Sequence, residues 1–151
     1  MQQSARVIED RSIRAETNRI AVHRLQERAP SMLIADDDAS VVGLLVSYGT
    51  RMGFDVDTAS DGIEAFLKIR RAKPNILVID VNMPEMDGLS VCDHLRDADQ
   101  EPANVIVITG SRHPHTLDRC QRIGTYFARK GPNFWNDLKA ALAEIGPLAA
   151  R

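Results

Sequence analysis

Ile76-Leu77-Val78-Ile79-Asp80, with the loop Val81-Asn82-Met83-Pro84-Glu85-Met86-Asp87-Gly88 behind it, decides how this 151-residue chain is read. Four apolar residues in a row predict a strand buried on both faces, as found inside a parallel sheet. The run stops at a carboxylate. Asp80 therefore stands at the carboxyl end of a central strand, where open α/β sheets place their ligands. Pro84 and Gly88 punctuate the loop, and Asp87 is placed to cap the next helix. A strand-end Asp can also be no more than a turn cap, so Asp80 alone does not decide the chemistry.

Three other apolar runs end in polar residues. Residues 32–38 read Met-Leu-Ile-Ala-Asp-Asp-Asp. Side chains alternate along an extended chain, so two of Asp36, Asp37 and Asp38 can face Asp80 if the two strands are neighbours. Crowded carboxylates repel one another unless a divalent cation sits among them. Hard oxygen ligands with room for water suit Mg2+ better than zinc or calcium. One of the three is also expected to start the following helix, because Asp favours a helix N-terminus. Val105-Ile106-Val107-Ile108 ends in Thr109-Gly110-Ser111, and Thr125-Tyr126-Phe127-Ala128 ends in Arg129-Lys130-Gly131-Pro132. An acid cluster, an acid, a hydroxyl and a base at one sheet edge would stabilise a tetrahedral oxyanion such as phosphoryl.

On these residues the sequence, over about residues 31–146, resembles a receiver domain of the response-regulator family, the phospho-accepting half of two-component signalling. The resemblance implies phosphorylation at Asp80. It implies Mg2+ ligands at Asp36, Asp37, Asp80 and the backbone carbonyl of Asn82. It assigns phosphoryl contacts to Thr109 and Lys130, and a switch aromatic to Phe127, with Tyr126 as the other candidate. It also implies a flavodoxin-like, doubly wound parallel sheet of five strands in the order 2-1-3-4-5, with five flanking helices. The implied partners are a histidine kinase or histidine phosphotransfer protein and a downstream protein. The implied role is a signalling module, not a metabolic enzyme, with slow self-dephosphorylation at most.

Two features depart from the family pattern. Gly131 separates Lys130 from Pro132, where the family has Pro directly after Lys. The segment Gly124 to Lys130 is also about one residue short, which leaves Arg129 as a rival for the Lys position. Two other readings use the same residues. A haloacid-dehalogenase-like phosphotransferase also needs a strand-end Asp and Mg2+, but it requires an Asp where this chain has Asn82. A receiver-like adaptor that works without phosphorylation would not need the intact acid cluster.

Length and composition agree with one globular domain and a normal core: hydrophobic residues make up 44%. No apolar run spans a membrane and no signal peptide is evident, so a cytoplasmic location is expected. A net charge of −2 gives no electrostatic case for nucleic-acid binding. Cys92 and Cys120 lack metal-type spacing and are expected to be free, buried thiols.

Residues 1–30 form an N-terminal extension in which Arg alternates with acids and no Gly or Pro occurs before Pro30. This predicts one long exposed helix. Ile8, Ala15, Val22 and Ala29 recur every seven residues, with Asn18 and Leu25 between them. That thin coiled-coil seam predicts association, most simply a homodimer. The expected receiver domain covers 31–146 and a tail 147–151. Its helices are expected at 39–52, 61–72, 87–97, 111–123 and 133–145, with an edge strand at 54–58. Ile63, Phe66, Leu67 and Ile69 are expected to be partly buried. His113 and His115 are expected to be surface imidazoles. With no output domain after the last helix, the signal is expected to leave through protein contacts.

Overall fold

β3 (Ile76–Asp80) is buried at all five positions, and the sheet extends outward from it on both sides. The computed structural model describes residues 2–26, 28–124 and 126–149, with side chains at 11–23, 28–124 and 126–146. The elements run α1 (Gln2–Gln26), β1 (Ser31–Ala35), α2 (Ala39–Arg51), β2 (Asp55–Ala59), α3 (Gly62–Ala72), β3, α4 (Gly88–Asp97), β4 (Asn104–Thr109), α5 (Pro114–Ile123), β5 (Tyr126–Arg129) and α6 (Phe134–Ala149). The strands are parallel in the order β2-β1-β3-β4-β5. Each parallel step needs a helical crossover, and the helices cover both faces.

Strand alternation sorts the core into two layers. Met32, Ile34, Ile76, Val78, Ile106 and Ile108 pack with α2 and α6. Leu33, Leu77, Ile79, Val105 and Val107 pack with α3, α4 and α5. Burying each large aliphatic side chain contributes about 1.5–3 kcal/mol. This favours the register that turns every second residue inward on both faces.

Three helices start on aspartates. Asp38 accepts from the backbone N–H of Ser40 and Val41, Asp61 from that of Glu64, and Asp87 from that of Ser90. Each cap is worth about 1 kcal/mol. These caps stop three of the strand-to-helix turns at the edge where the sheet's carboxyl ends lie.

Several expectations are corrected. Ile63 and Leu67 are 44% and 58% exposed, not partly buried. α3 covers the sheet with Ala65 and Ile69, and a 3.6-residue repeat turns Ile63 and Leu67 to the opposite side. α5 begins at Pro114, not Ser111, because His113 caps it through Nδ1 and Pro occupies the first turn. α6 continues past Ile145, across a break at Gly146 (φ 62°, ψ 155°).

Every residue from 11 to 23 of α1 is exposed, including Ala15, Asn18 and Val22 of the predicted seam. The side chains of Ile8, Leu25 and the 147–151 tail, and all of Thr125, lie outside the described residues. Among the described residues, no helix is long and apolar enough to cross a membrane.

Candidate functional site

β1, β3 and β4 each end at the same edge, and each delivers a polar side chain there. Asp36, Asp80 and Thr109 are 1%, 3% and 0% exposed, and they are the buried polar or charged residues among those described. Three buried polar side chains at one sheet edge are the informative departure from an apolar core. Asp37, next along from Asp36, is exposed. Asp36, Asp37 and Asp80 each offer an oxygen, and those oxygens lie within 4.8 Å of one another. Asp38, the third of the run, is turned away to cap α2.

Lys130 closes the site from β5. Its backbone N–H donates to the Thr109 carbonyl at 2.7 Å, which fixes where the side chain starts. Its ammonium lies 2.9 Å from Asp36 Oδ2 and 3.3 Å from Asp80 Oδ2. Arg129 ends the strand exposed and is not in the cluster. Asp36 has both oxygens engaged, because Oδ1 also accepts from the Asp38 N–H at 2.9 Å. Asp80 does not: its Oδ1 is buried without a hydrogen-bond partner.

This arrangement sets the proton affinities. Burial pushes the Asp80 carboxyl up to about 6. The Asp36 charge adds to that, and Lys130 pulls against it. Burial works to lower the Lys130 value. The hydrogen bond to Asp36 and the charges of Asp80 and Asp36 outweigh it, and the ammonium is held above its ordinary value. The Asp80 carboxylate therefore sits with two further carboxylates, and its Oδ1 lacks a donor. A hard divalent cation satisfies that condition, and the all-oxygen donor set fits Mg2+.

The loop after β3 is held against the sheet. Val81 N–H donates to Ile108 O, and Gly88 N–H donates to Val81 O. A Cβ at Gly88 would lie 2.1 Å from the Asp80 carbonyl oxygen, so only glycine lets the loop close so tightly behind the carboxylate. Glu85 takes a positive φ of 68° at the loop's exposed tip, a conformation that costs a non-glycine residue energy. Asn82 is exposed on this loop, two residues beyond Asp80.

Thr109 Oγ1 accepts from the Ser111 N–H at 3.0 Å, so its own proton remains available to donate. Phe127 is half-buried and packs in the layer with Val107, its register partner. Alternation puts Thr109 on that same face. Tyr126 packs in the other layer. Sequence reading did not anticipate the Lys130–Asp36 contact or the close approach at Gly88. Spacing along one chain carries neither signal.

The response regulator receiver domain family matches residues 32–128. The chain belongs to that family. Its relatives carry different outputs. The alkaline phosphatase synthesis transcriptional regulatory protein PhoP of Bacillus subtilis is 48% identical over 65 residues, 43% of this chain and 27% of that protein. A protein-glutamate methylesterase/protein-glutamine glutaminase of Anaeromyxobacter dehalogenans is 42% identical over 86 residues, 57% of this chain and 24% of that protein. The chain thus spans about a quarter of the length of these curated relatives. Among solved structures, the receiver is similar to one in the CheX-CheY-BeF3-Mg+2 complex of Borrelia burgdorferi. The TM-score is 0.67 and the identity 28%, covering 77% of this chain and 89% of that one.

Proposed function

We propose that this receiver accepts a phosphoryl group on Asp80 from a phosphohistidine on a histidine kinase or histidine phosphotransfer protein. The observation that carries the reading is the buried Asp80 carboxylate, clustered with Asp36 and Asp37 and with its Oδ1 left without a hydrogen-bond partner. Asp36, Asp37, Asp80 and the Asn82 carbonyl would hold Mg2+, which when bound supplies positive charge to offset the phosphoryl oxygens. The similar Borrelia structure contains BeF3 and Mg2+.

An Asp80 oxygen forms the new bond to phosphorus as the imidazole N–P bond breaks, and the imidazole leaves with the electron pair. The ionised carboxylate is the reactive form, because protonation removes the nucleophilic pair. Lys130 is already within 3.3 Å of Asp80 and pairs with a phosphoryl oxygen once the group arrives. The acyl phosphate adds roughly one to two negative charges. Thr109, with a free proton, donates to it. Phe127 shares a sheet face with Thr109 and follows that movement, changing the surface at the β5 edge. The output is then a contact with a downstream protein.

Titration with beryllofluoride, a phosphoryl mimic, while following backbone amide resonances tests this reading. With Mg2+ present, the amides of Asp80, Thr109 and Phe127 should shift together. Shifts that are equally large in the Asp80→Ala variant would rule the reading out.

A further inference from the structure

We propose that the outward face of α3 is a docking surface for the same face of a second copy of this chain. Ile63 and Leu67 stand one helical turn apart, 44% and 58% exposed, on the side away from the sheet. Single exposed apolar residues need no explanation, but two adjacent ones centred on a helix make a stripe. The charges around that stripe are ordered. Asp61 and Glu64 lie at its N-terminal end, and Lys68, Arg70 and Arg71 at its C-terminal end. Glu64 and Lys68 pair with each other at 3.3 Å. That leaves Arg70 and Arg71 as the cations beyond the stripe, with the Arg70 guanidinium resting 5.5 Å from the Phe66 ring.

A surface that is apolar in the middle, acidic at one end and basic at the other is complementary to itself under a two-fold axis. Take two α3 helices antiparallel and centred near Ala65. Ile63 of one copy then meets Leu67 of the other at the same height. With about 1.5 Å of rise per residue, Asp61 lies about 6 Å from the centre and Arg70 of the other copy about 7.5 Å, on the same side. The helix dipoles also run opposite ways, which favours the antiparallel pairing over the parallel one. A parallel pairing would set Arg70 and Arg71 beside their own copies.

The surface is held rigid before it pairs. Gly62, which opens α3, donates its N–H to the Pro84 carbonyl, and a Cβ there would lie 1.8 Å from the Met86 carbonyl oxygen. Binding therefore costs little ordering of the helix. The cationic α1 is a poor occupant for this face, since its exposed Arg11, Arg14 and Arg19 would meet Arg70 and Arg71.

Disulfide trapping in the full chain tests the pairing. Cys92 and Cys120 are both buried, so an engineered surface thiol reports without interference from them. Ile63→Cys and Leu67→Cys are prepared separately and incubated in a glutathione redox buffer, alone and mixed. The antiparallel pair brings position 63 of one copy to position 67 of the other. Like positions stay too far apart to bridge. The mixture should cross-link at least about tenfold faster than either variant alone, a ratio that association through α1 would not produce. Adding Arg70→Glu to both variants should slow the mixed reaction several-fold. Leu44→Cys, equally exposed on α2, is the collision control. A mixture that cross-links no faster than the single variants or that control overturns the proposal.

Discussion

Lys130 and Asp36, 94 residues apart in sequence, meet at 2.9 Å, closer than Lys130 comes to Asp80. The cation therefore sits nearer Asp36 than Asp80. Asp36 is buried and already committed to the Asp38 N–H through its other oxygen. Asp80 keeps one oxygen free. Lys130 thus bridges the two buried carboxylates while Asp80 Oδ1 keeps no hydrogen-bond partner.

Removing that cation should be expensive. Lys130→Ala leaves Asp36 buried without a counter-charge, and breaking a fully buried pair costs about 3–5 kcal/mol. Lys130 is 27% exposed, so water offsets part of the loss and we expect about 2 kcal/mol. Urea unfolding of the metal-free protein measures it. Mg2+ should recover part of the loss in the variant, because it supplies charge to the same carboxylates.

Asp80 gives stability a pH dependence of defined sign. Its folded-state value, about 6, lies above the ordinary 3.8, so the native state binds that proton more tightly than the unfolded chain. Its favourable contribution is fully present below about pH 4 and is lost as pH rises through about 6. Above that, the ionised carboxylate costs up to about 3 kcal/mol. Asp80→Asn should therefore stabilise the metal-free protein at about pH 8 by about 1–3 kcal/mol and have little effect at about pH 4. Thermal melts at the two pH values decide. An equal effect at both would contradict the assigned burial and repulsion.

Gly88 should tolerate no side chain. A Cβ would sit 2.1 Å from the Asp80 carbonyl oxygen and 2.9 Å from its carbon, both backbone atoms that cannot swing aside. Gly88→Ala should cost about 1–3 kcal/mol or more, as overpacking does. It should also weaken Mg2+ binding, because the clash displaces the strand end that carries Asp80. Calorimetric titration with Mg2+ reads the second effect separately from the first.

Cys92 should be chemically silent in the folded protein. Burial pushes its thiol up to about 12, with the nearby Asp93 and Glu101 charges adding to that. The thiolate is the reactive form, so almost none is present near neutral pH. Alkylation followed by mass spectrometry should show labelling at Cys92 only at the rate of unfolding. Fast labelling in native buffer would contradict the packing of α4.

The sheet was legible because its signals are local. The unbroken Ile76–Ile79 run, the Asp that caps three of the strand-to-helix turns and the polar residue after each apolar run all lie within a few residues. The acid cluster follows from the pairing of β1 with β3. What could not be read depends on contacts far apart in the chain. Ile63 and Leu67 fit a buried pattern as well as Ala65 and Ile69 do, and only the packing of α3 on the sheet decides which side faces in. The choice between Lys130 and Arg129 turned on a one-residue spacing. The Lys130 backbone bond to Thr109, not the spacing, determines which side chain enters the site. The partnering of Lys130 with Asp36 spans nearly the whole domain and leaves no trace in either segment.

We propose Asp80 as the phosphoryl acceptor and the acid cluster as its metal site. Intact-mass spectrometry after incubation with a small-molecule phosphodonor tests it most directly, with and without Mg2+ and in parallel on Asp80→Asn. The expected result is a gain of one phosphoryl group in the parent that requires Mg2+ and is absent from the variant. A gain of the same size in Asp80→Asn, or no gain in the parent with Mg2+ present, would contradict it.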